Sequence, residues 1–222
     1  MCIRDRHEVE RNLSLIDFIG PEKRFSVRLY PSEADFNEVV HLKYRPYICI
    51  APASLWFTKQ FPESKWIEFV GALPEDLQVY LLGAADERAL CERIVKACVP
   101  RGVISLAGEL SLLQTAALMQ DAILNYVNDS APLHIASSVN APVAAIFCST
   151  ILEFGFGPRS DRSFMIQTSQ TLTCRPCGLH GYKKCPEGHF DCAYSILNQQ
   201  LIQCISYAVS YTHLTLPTIY SL

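Results

Sequence analysis

Three groups of residues in this 222-residue chain could do chemistry. The first is Thr58-Lys59, in a polar loop with Ser54 close by, just after the apolar run Tyr47–Ala51. A lysine flanked by hydroxyls suits the oxygen atoms of a phosphate. The bland alternative is a lysine that is merely solvated. The second is Asn128-Asp129-Ser130, with Ala131, Pro132 and His134 close behind. Asp and Ser cap helices, and Pro fits a first turn, where its missing N–H costs nothing. A helix start after a strand offers free amides and a positive dipole end, which suits an anion. His134 would project from that first turn, or it is simply a hydrogen-bonded helix residue. The third is the cluster Cys174, Cys177, Cys185 and Cys192, with His180 and His189 between. Two thiolates three positions apart, plus two more within about twenty residues, suit tetrahedral zinc. Four Cys would close the shell, so the candidate metal is structural. A reduced cysteine-rich loop or a disulfide pair are the competing readings.

These groups need elements to position them. Apolar runs at 47–51, 78–82, 103–106, 123–127 and 143–147 read as buried strands. Amphipathic stretches at 62–73, 87–98, 111–119 and 131–139 read as the helices between them, and Ser111 with Gln114 has capping-box spacing. Strand, polar loop and helix repeat, which predicts an α/β fold: a Rossmann-like parallel sheet with helices on both faces. In such a sheet ligands bind beyond the carboxyl ends of the strands. Residues 46–172 form this domain. Residues 7–45, with an amphipathic helix at 7–19 and a small helix near 33–40, read as the end of an N-terminal domain and an interdomain linker. Residues 173–205 read as a Cys-rich loop and a C-terminal helix. The ends, 1–6 and 206–222, look foreign: the tail is uncharged with no helical period, and both resemble translated sequencing adapter.

The totals exclude several classes. Half of the residues are hydrophobic and 18% are charged, enough for a core. The net charge is −3 with no basic run, so no nucleic-acid partner is expected. No apolar run is long enough to span a bilayer, and the charged start is no signal peptide, so a cytoplasmic location is expected. There is no G-x-G-x-x-G and no Walker-type phosphate loop.

The segment from Asn128 through Ala136, with the run from Pro142 to Phe147, resembles the signature of the ADP-heptose:lipopolysaccharide heptosyltransferases, glycosyltransferase family 9. The loop 52–62, Gly83 through Glu87, 154–158 and the cysteine cluster match in order. The resemblance covers about residues 7–203 and implies the C-terminal, donor-binding half of a GT-B glycosyltransferase. It implies that Thr58 and Lys59 contact the donor pyrophosphate, with Lys59 stabilising the leaving group. Ser130 and the amide of Ala131 would hold phosphates, Asp129 and His134 would shape the site, and Glu87 would reach the ribose or adenine side. The family has Gly where this chain has Ala131, a change that is costly if φ is positive there. The family's catalytic base, an Asp near the N-terminus of the whole protein, has no counterpart here. The implied reaction moves heptose from ADP-heptose to the lipopolysaccharide inner core with inversion. It needs no catalytic cofactor and allows peripheral contact with the inner membrane. A fragment of this kind is expected to be inactive alone. Another GT-B nucleotide-sugar enzyme, such as an epimerase, and a non-catalytic nucleotide-binding module are the alternatives.

Overall fold

The computed structural model describes residues 6–16, 18 and 26–214, apart from the side chains of 210–214. Helix α1 (Glu8–Ser14) is capped by His7, whose Nδ1 accepts the Val9 amide at 3.1 Å. The other ring nitrogen lies 3.0 Å from the Gly157 carbonyl, so the cap also docks α1 on the body. Helix α2 (Glu33–Val39) starts at a capping box between Ser32 and Asp35. Then follow β1 (Tyr47–Ala51), α3 (Glu63–Gly71), β2 (Gln78–Leu81), α4 (Arg88–Ala97), β3 (Ile104–Ser105) and α5 (Leu112–Gln120). The chain continues through β4 (Asn125–Asn128), α6 (Ala131–Ser138), β5 (Val143–Phe147), β6 (Ser163–Gln167), α7 (Asp191–Tyr194) and α8 (Asn198–Leu214).

All strand pairs are parallel, in the order β3-β2-β1-β4-β5-β6. The expected α/β, Rossmann-like sheet is therefore present. Its order reverses between β1 and β4, the switch point where loops leaving adjacent strands diverge and open a crevice. Side chains along β1 alternate between two cores. Ile48 and Ile50 join Trp66, Phe69, Leu81 and Ile146 on one face. Tyr47, Cys49 and Ala51 join Leu118, Leu133 and Phe147 on the other. A parallel sheet covered on both faces needs apolar residues at every position, which explains the unbroken run at 47–51.

The polar atoms inside are mostly satisfied. Tyr47, Tyr80 and Tyr126 are all buried and donate their hydroxyls to the carbonyls of Leu118, Leu42 and Leu201 at 2.7, 2.6 and 2.7 Å. The last of these bonds ties α8 to the sheet. Leu201, Cys204, Ile205 and Ala208 of α8 lie in the same core as Ile48. The C-terminal segment thus packs against the Rossmann-like sheet. One expectation needs correction: the helix runs through Ser206 without a break to Leu214, so the tail does have a helical stretch. The Ala208 methyl is what extends the packing past 206. The expected helix end at Gly20-Pro21 and the terminal residues 1–5 and 215–222 lie outside the described residues. No helix among the described residues is long and apolar enough to cross a membrane.

Leu201→Ala should remove a fully buried side chain and lower stability by about 3 kcal/mol in urea unfolding. A loss under about 1 kcal/mol would contradict the packing of α8.

Candidate functional site

A cavity of about 510 Å³ opens at the switch point. Its wall comes from the loop after β1 (Ser54, Trp56, Lys59), the turn after β2 (Gly83, Glu87) and the start of α6 (Asp129, Ser130, Ala131). Leu110, Leu112 and Ile135 add apolar surface. The sheet therefore brings together residues that are far apart in sequence.

Lys59 meets Asp129 here. Its Nζ lies 2.8 Å from Asp129 Oδ2, and both side chains are nearly out of water. Thr150 donates its hydroxyl to the same Oδ2 at 2.7 Å. Asp129 thus holds the lysine in place. An ammonium has three donors, and this pair uses one. Two N–H groups remain for an anion in the cavity.

The start of α6 leaves a backbone donor open. Ser130 stands at the N-cap but makes no side-chain cap bond; its hydroxyl points to the Asn128 carbonyl at 3.4 Å. Leu133 donates its amide to Ser130 at 3.0 Å, and Pro132 has none. The Ala131 amide is the one left for a ligand among these three. Among the described residues only Asn140 and Phe190 are non-glycines with positive φ, so the methyl of Ala131 carries no backbone strain. Glu87 faces the cavity from the other side, with Oε2 accepting the Ala84 amide at 2.8 Å. A Cβ on Gly83 would lie 2.8 Å from that oxygen, so a glycine is needed for this approach.

Two expectations need correction, and the cysteine cluster has its own geometry. Thr58 does not face the cavity. It is buried, and its Oγ1 accepts the Tyr182 amide at 2.7 Å and the Ser149 hydroxyl at 3.1 Å. The 3-10 turn at Phe57–Lys59 puts adjacent side chains on different sides, so Lys59 and Thr58 cannot both point into one cavity. His134 is exposed and lies outside the cavity lining. Neighbouring protein around the ring keeps its pKa below the ordinary 6.5 by desolvation; Asp129 pulls it up, and His7 and Lys59 push it down. The side chains of Cys174, Cys177, Cys185 and Cys192 are not gathered around one point. Among the described residues no three of His, Cys, Asp and Glu stand where they could hold one metal ion. The thiols turn to separate partners: Cys177 Sγ donates to the Cys174 carbonyl at 3.2 Å, and Cys174 Sγ lies 3.9 Å from His189 Nε2. Cys192 is buried, which pushes its thiol up to about 12.

Asn128 belongs to the second group of residues, but sequence reasoning assigns it no role of its own. It is fully buried at the end of β4. Its Oδ1 accepts the Phe61 amide at 2.9 Å, and its Nδ2 donates to the Pro52 and Ala53 carbonyls at 2.8 and 3.2 Å. One amide side chain thus pins both ends of the loop that carries Lys59. The available signal was a buried-strand run that ends in an amide instead of a charge.

Residues 3–183 match glycosyltransferase family 9 (heptosyltransferase). The chain is 29% identical over 157 residues to lipopolysaccharide heptosyltransferase 3 of Escherichia coli (strain K12), covering 67% of this chain and 46% of that protein. It therefore spans about half the length of the curated relative. The fold matches E. coli ADP-heptose lps heptosyltransferase II, with TM-score 0.70 and 20% identity over 87% of this chain and 56% of that one. It also matches the glycosyl transferase family 9 protein from Veillonella parvula DSM 2008, with TM-score 0.76 and 16% identity over 93% of this chain and 61% of that one.

The His134 ring should titrate below 6.5 in an NMR pH series, because its folded pKa is depressed. Between that value and 6.5 the unfolded chain binds more protons, so this histidine's contribution to stability is present above 6.5 and lost as pH falls. Asp129→Asn should move the midpoint further down and Lys59→Ala should move it up. Shifts of the opposite sign would contradict this placement.

Proposed function

The chain belongs to glycosyltransferase family 9, the heptosyltransferases, and from that premise we propose that it is the donor-binding part of an inverting glycosyltransferase. In this reading the enzyme moves heptose from ADP-heptose to the lipopolysaccharide inner core. The whole protein would meet its lipid-linked acceptor at the cytoplasmic face of the inner membrane.

One observation carries the reading: a tethered ammonium, an open helix start and a carboxylate line the same cavity at the sheet's switch point. The relative solved as an ADP-heptose heptosyltransferase shares this fold, which supports a nucleoside-diphosphate sugar as the ligand. The diphosphate would take the two unspent N–H groups of Lys59 and the Ala131 amide. Glu87 would accept hydrogen bonds from sugar or ribose hydroxyls, and Leu110, Leu112 and Ile135 would cover an apolar ring.

In the transfer, an acceptor hydroxyl oxygen attacks the anomeric carbon as the bond from that carbon to the β-phosphate oxygen breaks. The proton goes to a base, which the resemblance assigns to an Asp near the N-terminus of the family's proteins. ADP leaves with the electron pair, and negative charge gathers on its β-phosphate. Lys59 and the α6 start are fixed before the reaction, so they can stabilise that charge without reorganising. The low exposure of Lys59 and Asp129 strengthens the interaction.

Titration calorimetry should give ADP binding tighter than UDP binding, and Lys59→Ala should weaken ADP about tenfold, the loss of one charge-assisted bond. The chain alone should release no ADP from ADP-heptose in the presence of acceptor. No preference for ADP together with no loss in Lys59→Ala would overturn the donor-site reading. Turnover by the chain would overturn the assignment of the base elsewhere.

A further inference from the structure

The loop after β6 turns back along the carboxyl ends of the strands, from the end of β5 to the turn that carries Lys59. Arg175 anchors it to the end of β5, donating to the Cys148 and Thr150 carbonyls at 2.7 and 2.8 Å. Cys177 adds a backbone bond to Ser149 at 2.9 Å. Beyond these anchors the loop reaches the turn that carries Lys59. Thr58 donates its amide to the Tyr182 carbonyl at 3.1 Å, and Tyr182 donates its amide to Thr58 Oγ1 at 2.7 Å. The Phe190 ring stands 5.1 Å from that of Phe57. Gly181 sits at the point of closest approach. Its φ is +79°, and a Cβ there would lie 2.9 Å from Thr58 Oγ1, 3.2 Å from Lys59 Cγ and 3.4 Å from Trp56 Cβ.

We propose that this cysteine-rich loop is a clasp that sets the reach of Lys59 into the cavity, with Gly181 and Thr58 as positioning residues. The inference rests on the donor-site reading given above. The lysine is then held from two sides. Asp129, fixed by Thr150, holds the ammonium, and the loop holds the stem and its backbone. Both holds trace to the end of β5, because Thr150 and the partners of Arg175 and Cys177 lie together in 147–150. A methyl at Gly181 would press on the lysine stem itself, and its displacement would move the ammonium off the phosphate.

Gly188 supplies the control. It lies in the same loop at φ +78°, and a Cβ there meets nothing within 4 Å. Alanine at either glycine carries a similar backbone strain, but only Gly181→Ala touches the lysine. ADP binding by the 222-residue chain, measured by calorimetry, should weaken about tenfold in Gly181→Ala and change less than about twofold in Gly188→Ala. In a Lys59→Ala background, Gly181→Ala should have no further effect, because it acts through the lysine. Gly181→Ala could fail to fold, so Thr58→Val provides a second route. It keeps the shape and removes the acceptor for the Tyr182 amide. It should weaken ADP and speed hydrogen exchange at the Tyr182 amide, and Thr58→Ser should restore both. Equal effects of the two glycine substitutions, or a full Gly181→Ala or Thr58→Val effect without Lys59, would overturn the clasp. If Lys59→Ala leaves ADP binding intact, or the parent chain binds no ADP, the donor-site reading fails and takes the clasp with it.

Discussion

The arrangement depends on one buried ion pair, Lys59 with Asp129, at the point where the sheet reverses direction. Removing charges from water is expensive, and a pair repays the cost only when geometry and further hydrogen bonds are good. Thr150 supplies the further bond, on the same carboxylate oxygen that holds the lysine. The pair is electrically neutral as a unit, so the cavity wall does not carry a bare buried cation. It still presents a directed donor, because a tethered ammonium keeps N–H groups to spare. A surface lysine would be floppier and screened by salt; this one keeps its direction before any ligand arrives.

Everything around the pair keeps its two halves in register. Lys59 comes from the loop after β1 and Asp129 from the turn after β4, and those strands are hydrogen-bonded neighbours. Asn128 fastens the two connections by bonding backbone groups of Pro52, Ala53 and Phe61 from the end of β4. A charged or apolar residue of that size could not supply both a donor and an acceptor, which an amide does. Below them, two apolar cores grip the sheet from opposite faces, so the strand ends have little freedom. Function therefore rests on loops, and the precision of those loops rests on a rigid sheet.

The fold was largely legible in the sequence because a parallel sheet buried on both faces writes itself as short continuous apolar runs. The runs at 47–51 and 143–147 are the observed strands to the residue. The boundary of β4 drifted where a polar residue is buried: the strand ends at Asn128, which does not read as strand core by type. Lys59, Asp129, Ser130, Ala131 and Glu87 do line one cavity, since each sits just after a strand. Thr58 was misplaced because sequence adjacency to Lys59 says nothing about which way a 3-10 turn points each side chain. The cysteines have metal-like spacing, yet their loop spends its backbone on the Lys59 turn and on β5, and the sulfurs do not converge. The roles of Asn128, Thr150 and Gly181 come from contacts across 67, 21 and 122 positions or more, which no local pattern encodes.

The most direct test is a crystal structure of the chain with ADP bound. The account predicts the diphosphate at the start of α6, with a β-phosphate oxygen about 2.8 Å from Lys59 Nζ while Asp129 still holds that ammonium. ADP bound away from Lys59 and the Ala131 amide would contradict it, as would a Lys59 side chain swung out of the cavity and away from Asp129.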